Sequence, residues 1–80
     1  MTSRQKLLEH IRQHPKGVTF EELKSLLRSF GCELVRSEGS HYIYRRAGAP
    51  AITVARHKPH VYSAAVREVL RAIADLQEES

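Results

Sequence analysis

A lone histidine stands where a glycine-containing turn opens into a strand, in the segment 39–46, Gly-Ser-His-Tyr-Ile-Tyr-Arg-Arg. An imidazole titrates near neutral pH, so it can accept or give a proton during a reaction. The two arginines that end the segment carry forked N–H donors whose geometry matches the oxygens of a phosphate group. A proton-transfer group and phosphate-binding groups on one short hairpin are the minimum needed to cleave RNA.

Cleavage of RNA without a metal begins when a base removes the proton of a 2′-hydroxyl, whose oxygen then attacks the neighbouring phosphorus. A histidine suits the role of that base, so we predict that His41 is catalytic and that neither a cofactor nor a metal ion is needed. Gly39 is expected to supply a turn conformation that other residues avoid, which lets the backbone approach a phosphate. Ser40 is expected to bind phosphate and not to act as a nucleophile, because no base accompanies it.

The positive charge of the chain is concentrated around the same hairpin. The net charge is +4, and the segment 36–60 contains five basic residues against one acidic residue, while the rest of the chain has eight of each. Solvated side chains can cluster in this way by chance, but the pattern favours a polyanionic partner such as nucleic acid. The predicted RNA-binding residues are Gly39, Ser40, Arg45, Arg46, Arg56, His57 and Lys58.

Two further histidines, His57 and His60, follow at a spacing of three residues. No third ligand such as a cysteine or an aspartate is close in the sequence, so we predict no metal site. Whether His57 donates a proton to the leaving group is left open by the sequence. Tyr42 and Tyr44 could stack on bases, but at strand spacing such residues more often pack in a core.

The length of the chain predicts one domain, 1–80, because eighty residues are too few for two independent cores. Cys32 has no partner for a disulfide within the chain, which fits a reducing compartment, and it is expected to be a small buried hydrophobe. No basic stretch followed by an apolar run opens the sequence, and no apolar run approaches the ~20 residues of a membrane span. We expect a cytoplasmic protein that does not bind a membrane.

The hydrophobic pattern predicts two helices in the first part of the chain. Apolar residues recur at helical spacing from Ser3 to Gln13, where a His-Pro-Lys-Gly turn would end the first helix. Thr19 and Glu22 have the spacing of a capping box, which predicts the start of a second helix. Gly31 is placed to end that helix.

After Gly31 the pattern becomes that of strands, and the helical period returns near Tyr62. The predicted strands cover 32–36, 40–46 and 51–55, and the predicted turns between them cover 37–39 and 47–50. The order α-α-β-β-β-α predicts an α+β fold in which a three-stranded antiparallel meander is covered on one face by the second and third helices.

The middle strand divides its side chains between two faces of this sheet. Tyr42 and Tyr44 share one face, and His41, Ile43 and Arg45 share the other. Because a buried Arg45 would be costly, we expect the tyrosines to face the helices and His41 to face solvent, although Ile43 argues the other way.

Several segments of the chain match one known family in order. They are a leucine-rich helix that ends in Phe30-Gly31, the run Cys32-Glu33-Leu34-Val35-Arg36, the turn Gly39-Ser40-His41 with Tyr44, the strand Ile52-Thr53-Val54 followed by Arg56-His57, and a final helix with Val69-Leu70. With these segments, the chain from Leu23 to Ile73 resembles the HicA family of toxins from bacterial toxin–antitoxin pairs.

The resemblance implies a double-stranded-RNA-binding-like fold and an mRNA interferase that cleaves mRNA independently of the ribosome. It also implies a hetero-oligomer with a HicB-type antitoxin, and it assigns catalysis to the histidine of the Gly-Ser-His motif, here His41. Two features depart from the family. Ala55 stands where many members have a proline, and residues 1–17 form an additional N-terminal helix that the shortest members lack.

Two other functions are compatible with parts of the sequence. The first two helices resemble the start of a winged helix-turn-helix, which would make the protein a DNA-binding regulator. That fold needs a third, recognition helix directly after the second, whereas Gly31 and a strand are predicted there. A non-catalytic RNA-binding module would use the same basic face without needing His41 as a base.

Overall fold

The computed structural model describes residues 3–78, which form three helices and one antiparallel sheet. The elements are α1 (Ser3–Gln13), α2 (Phe20–Ser29), β1 (Glu33–Glu38), β2 (His41–Arg45), β3 (Ile52–Ala55) and α3 (Ser63–Glu78). The α+β class and the order α-α-β-β-β-α predicted from the sequence are confirmed. Within the described residues, none of the helices has the length and apolar character needed to cross a membrane.

Helix α2 begins at the predicted capping box. The Thr19 hydroxyl oxygen accepts a hydrogen bond from the Glu22 amide at 3.2 Å, and the Glu22 carboxylate accepts one from the Thr19 amide at 2.9 Å. Two amides at the helix start are thereby satisfied. The same carboxylate lies 3.3 Å from the His10 imidazole of α1, so the cap also joins the first two helices.

The end of α2 is set by Gly31, whose φ is +84°. Its amide donates to the Arg28 carbonyl and the Cys32 amide donates to the Leu27 carbonyl, each at 3.0 Å, which is the pattern of a Schellman motif. Arg46 covers this end, because its guanidinium donates to the Phe30 carbonyl at 3.4 Å. The predicted glycine cap is confirmed, and it turns the chain into β1.

The additional N-terminal helix packs on the core. Leu8 and Ile11 of α1 are buried, and the Arg4 guanidinium lies over the Phe30 ring, 4.5 Å from its centroid. Burial of two aliphatic side chains makes α1 part of the folded unit that holds α2 in place.

The strands lie in the order β1-β2-β3, and the first hairpin is tighter than the sequence indicated. Ser37 and Glu38, predicted to lie in a turn, pair instead with Tyr42 and His41, and only residues 39–40 form the loop. The φ of +59° at the glycine that opens this loop allows a two-residue turn, so the ladder continues up to it. The predicted turn at 37–39 is therefore wrong by two residues.

The two faces of the sheet differ as predicted. Tyr44 is 2% exposed and Val54 is fully buried, while Tyr42 is half-buried with its ring 4.8 Å from the Phe20 ring centroid. His41 is exposed on the opposite face. The tyrosines therefore contribute to the core, and the histidine is available to a ligand.

The helices cover the sheet unevenly. Helix α3 packs against β3 and α2, and its apolar stripe of Val66, Val69 and Ile73 is fully buried. Strand β1 is exposed at every position, including Leu34 at 50% and Val35 at 59%. A break in register between Leu34 and Arg36 marks a bulge in this edge strand.

We expect the cap of α2 to be a measurable source of stability. Replacing Thr19 with alanine removes the oxygen that accepts from the Glu22 amide, so the free energy of unfolding should fall by about 1 kcal/mol. Urea unfolding followed by circular dichroism measures the change. Thr19→Ser keeps the acceptor and should remain close to wild type. An alanine variant as stable as wild type would show that the cap contributes nothing.

Cys32 should be unreactive in the native state. It is 1% exposed, and burial raises the pKa of its thiol, while the Arg46 guanidinium partly opposes that rise. We therefore expect a disulfide reagent at neutral pH to label the native protein at least about tenfold more slowly than the denatured protein. Because the folded-state pKa is raised, the stability that comes from the neutral thiol should decline as the pH rises above the ordinary thiol value of 9.0. Equal labelling rates would place the thiol at the surface.

Candidate functional site

His41 is the first residue of β2 and directly follows the two-residue loop. Its cross-strand partners are Glu38 on β1 and Ala55 on β3. The imidazole is exposed and makes no hydrogen bond or ion pair with any other residue in the described range 3–78. A proton acceptor in this position can be reached from solvent by a large substrate.

Two charged residues share the open face with His41. The Arg36 guanidinium lies 3.6 Å from the Glu38 carboxylate, and both side chains are largely exposed. Glu38 was not among the predicted site residues, and the sequence pattern placed it in a turn. The two-residue turn instead places Glu38 in the ladder of β1 and β2, directly opposite His41.

The loop after β3 begins beside the Gly-Ser turn. The Arg56 amide donates to the Ser40 carbonyl at 2.7 Å, which extends the pairing of β2 and β3 by one residue. Because of this bond, Gly39, Ser40 and His41 lie at the same end of the sheet as the basic loop of residues 56–58. Six of the eight predicted site residues are thus brought to one end.

The Arg56 side chain turns toward the helices, away from the face that carries His41. Its guanidinium donates to the Tyr42 hydroxyl at 3.4 Å and lies 5.5 Å from the Phe20 ring centroid. Since consecutive strand residues point to opposite faces, the Arg56 guanidinium and the His41 imidazole flank the end of the sheet from two sides.

Arg45 and Arg46 lie at the other end of β2. Arg45 is exposed and pairs with Glu33, about 13 Å along the strand from His41. Arg46 is partly covered, because its guanidinium binds the carbonyl at the end of α2. The structure therefore separates these two predicted phosphate ligands from the histidine and gives Arg46 a role in the fold.

An open cavity lies where the basic loop meets the start of α2. Its volume is about 560 Å³, and it is lined by Thr19, Phe20, Glu21, Arg56, His57, Lys58 and Pro59. A second cavity of about 450 Å³ continues between α2 and the first two strands and adds Lys24 and Arg28. These two cations lie on a helix outside the basic segment, so the charge pattern of the sequence did not point to them. Their spacing of four residues, which puts both on one helical face, is the signal that could have found them.

The tyrosine at the floor of the second cavity stays protonated. Burial raises the pKa of Tyr44, and the negative charge of Glu21 adds to that rise, while Arg28 opposes it. The hydroxyl therefore remains a neutral hydrogen-bonding group throughout the physiological range of pH.

His57 and His60 contact each other through a ring and a carbonyl, not as a pair of ligands. The His57 Nδ1 atom lies 2.9 Å from the His60 carbonyl oxygen, and the His57 ring packs on Tyr62 with 4.2 Å between centroids. Across residues 3–78, no three histidine, cysteine or carboxylate side chains come together as metal ligands would.

The arrangement does not match the alternative of a DNA-binding regulator. Such a fold would continue from α2 into a recognition helix, but Gly31 leads through Cys32 into β1. The groups gathered at the sheet end are instead suited to a flexible polyanion, since they are exposed, cationic and close to a proton acceptor.

Comparison with known proteins gives one family. A family model described as the HicA toxin of bacterial toxin–antitoxin systems matches residues 20–74, from the first residue of α2 into the last turns of α3. Among curated proteins and solved structures, none matches the chain significantly. The match covers more than half of the sequence and includes the Gly-Ser-His turn and the basic loop. The chain therefore belongs to the HicA toxin family and is the toxin of a bacterial toxin–antitoxin pair, whose partner is an antitoxin.

Proposed function

We propose that this toxin is an endoribonuclease that cleaves mRNA without a metal ion and uses His41 as its general base. The observation that carries the proposal is the exposed imidazole at the sheet end, held next to a basic loop by the bond between the Arg56 amide and the Ser40 carbonyl. Membership in a toxin family supports a reaction that harms the cell, as cleavage of mRNA does.

His41 would take the proton of a 2′-hydroxyl, and the resulting oxygen would attack the adjacent phosphorus. The products of that step are a 2′,3′-cyclic phosphate and a 5′-hydroxyl end. The base must be neutral to begin the reaction.

Backbone and side-chain donors are available to bind the phosphate. The amides of Gly39 and Ser40 donate no hydrogen bond to any other residue in the described part of the chain, and both residues are exposed. Free amides in a tight turn form a concavity that favours an anion. Arg56 and Lys58 add positive charge beside it, where negative charge builds up during the reaction.

We further propose that the antitoxin is of the HicB type and forms a hetero-oligomer that covers the face with His41. The open face of the sheet supports a protein partner at this side, and the exposed Leu34 and Val35 on the edge strand β1 offer further apolar surface to the same partner. An antitoxin bound there would exclude RNA from the base.

His41→Ala should slow cleavage strongly while leaving the fold intact, because the side chain is exposed. In excess EDTA, wild type should cut single-stranded RNA and leave 2′,3′-cyclic phosphate ends, and the variant should be slower by ~10²–10⁴-fold. Expression of wild type without antitoxin should arrest growth, and expression of the variant should not.

His14→Ala is a matched control, since His14 is also exposed but lies in the turn after α1. It should cut as wild type does. A His41→Ala protein that remained as active and as toxic as wild type would remove His41 from the mechanism. RNA binding by wild type without any cutting would leave a non-catalytic binding module.

Substitution of Arg56 and Lys58 by glutamine should weaken RNA binding and reduce its salt dependence. Each phosphate contact on a single strand contributes about 0.7 to the slope of log affinity against log salt, so the double variant should lose roughly 1.4. Fluorescence anisotropy with a labelled RNA, in the His41→Ala background to prevent cutting, measures the slope.

Arg45→Gln provides the comparison at the far end of β2. It should reduce the slope only if the RNA follows the whole strand, and it leaves the covered guanidinium of Arg46 in place. An unchanged slope in the variant that lacks both Arg56 and Lys58 would move the RNA site away from the basic loop.

A further inference from the structure

The loop that follows β3 is held at both of its ends. The Arg56 amide donates to the Ser40 carbonyl at 2.7 Å, and the Val61 amide donates to the Val18 carbonyl at 2.8 Å. One bond fixes the loop to the hairpin turn, and the other fixes it to the residue before the cap of α2. The side chains between them are therefore presented in a definite position relative to His41.

Within this loop, the His57 ring is oriented by two contacts. Its Nδ1 atom lies 2.9 Å from the His60 carbonyl oxygen, and since a carbonyl can only accept, Nδ1 carries the hydrogen. The ring also packs on Tyr62, with 4.2 Å between centroids and 34° between planes. The Nε2 atom is therefore the ring nitrogen that can contact a substrate. When the ring is protonated, Nε2 becomes a hydrogen-bond donor and an acid.

The two histidines are close enough to act on one phosphodiester. Ala55 is the cross-strand partner of His41, and His57 lies two residues after Ala55. Their Cα atoms are therefore at most about 13 Å apart, a separation that two histidine side chains turned toward each other can span to one phosphate. In-line displacement at phosphorus needs a base and an acid on opposite sides of the phosphorus, because the attacking and leaving oxygens lie on opposite sides.

There is also room beside His57 for the part of the RNA that leaves. The open cavity of about 560 Å³ has His57 in its wall, together with the Phe20 ring, Arg56 and Lys58. The cations in this wall suit a nucleotide, whose phosphates need neutralising.

We propose that His57 is a second catalytic residue, the general acid that protonates the leaving 5′-oxygen. The proposal rests on the ribonuclease function argued above. As the bond between phosphorus and the 2′-oxygen forms, the bond to the 5′-oxygen breaks and leaves its electron pair on that oxygen. The proton of the 2′-hydroxyl goes to His41, and the Nε2 proton of His57 goes to the 5′-oxygen. Exchange with water then restores both histidines.

The test uses two RNA substrates that differ by one atom. Both contain a cleavage site mapped with wild type, and in one of them the bridging 5′-oxygen at that site is replaced by sulfur. A thiolate leaves readily without being protonated, so the sulfur substrate does not need an acid. His57→Asn is the variant of choice, because its amide N–H can still donate to the His60 carbonyl although it has no proton to transfer at neutral pH.

We expect His57→Asn to slow cleavage of the oxygen substrate by ~10²–10⁴-fold and to slow the sulfur substrate by less than about tenfold. His41→Ala should slow both substrates, because the base is needed in either case. His60→Ala keeps the backbone carbonyl that orients His57 and should cut both substrates as wild type does.

Other results would overturn the assignment. Equal slowing of both substrates by His57→Asn would show that His57 has a binding or structural role. If the variant slowed neither substrate, His57 would have no role in cleavage. Slowing of both substrates by His41→Ala, with neither substrate slowed by His57→Asn, would support the base and refute the acid. If wild type cut neither substrate in EDTA, the metal-independent ribonuclease itself would be refuted, and the role of His57 with it.

Discussion

The hydrogen bond from the Arg56 amide to the Ser40 carbonyl, 2.7 Å long, joins the two segments on which the proposed chemistry depends. It extends the pairing of β2 and β3 past the last residue of β3, so the basic loop starts at the hairpin turn. Both partners are backbone groups, and the position of the loop therefore does not depend on a flexible side chain. The His41 imidazole and the cations of the loop therefore stay close to each other as long as β2 and β3 remain paired.

Because side chains alternate along each strand, the two faces of the small sheet have different roles. Tyr44 and Val54 point into the core, where they are buried, and His41 points out from the same ladder. The free energy of folding comes mainly from the covered face. The open face can consequently carry exposed and charged groups, His41 among them, with little effect on the stability of a domain of eighty residues.

The parts of the structure that the sequence predicted well are those with local causes. The cap at Thr19 and the glycine at Gly31 act over three or four residues, so their signals are complete in the sequence. The outward position of His41 followed from the alternation within one strand. The use of Arg46 at the end of α2 could not be predicted, because it depends on where a helix and a strand meet in space. The same holds for the attachment of the loop after β3 to the start of α2.

A toxin of this architecture has little surface with which to keep substrate and antitoxin apart. In the proposed function, RNA binds the sheet end that carries His41, Arg56 and Lys58, and an antitoxin that stops cleavage by excluding RNA covers that end. Because all of the net charge of +4 belongs to the segment 36–60, an antitoxin that binds there gains from acidic side chains facing this end. The antitoxin would then neutralise the toxin by competing directly with RNA for one basic surface. The exposed Leu34 and Val35, which lie toward the other end of β1, would add apolar contact that RNA, a polyanion, does not use.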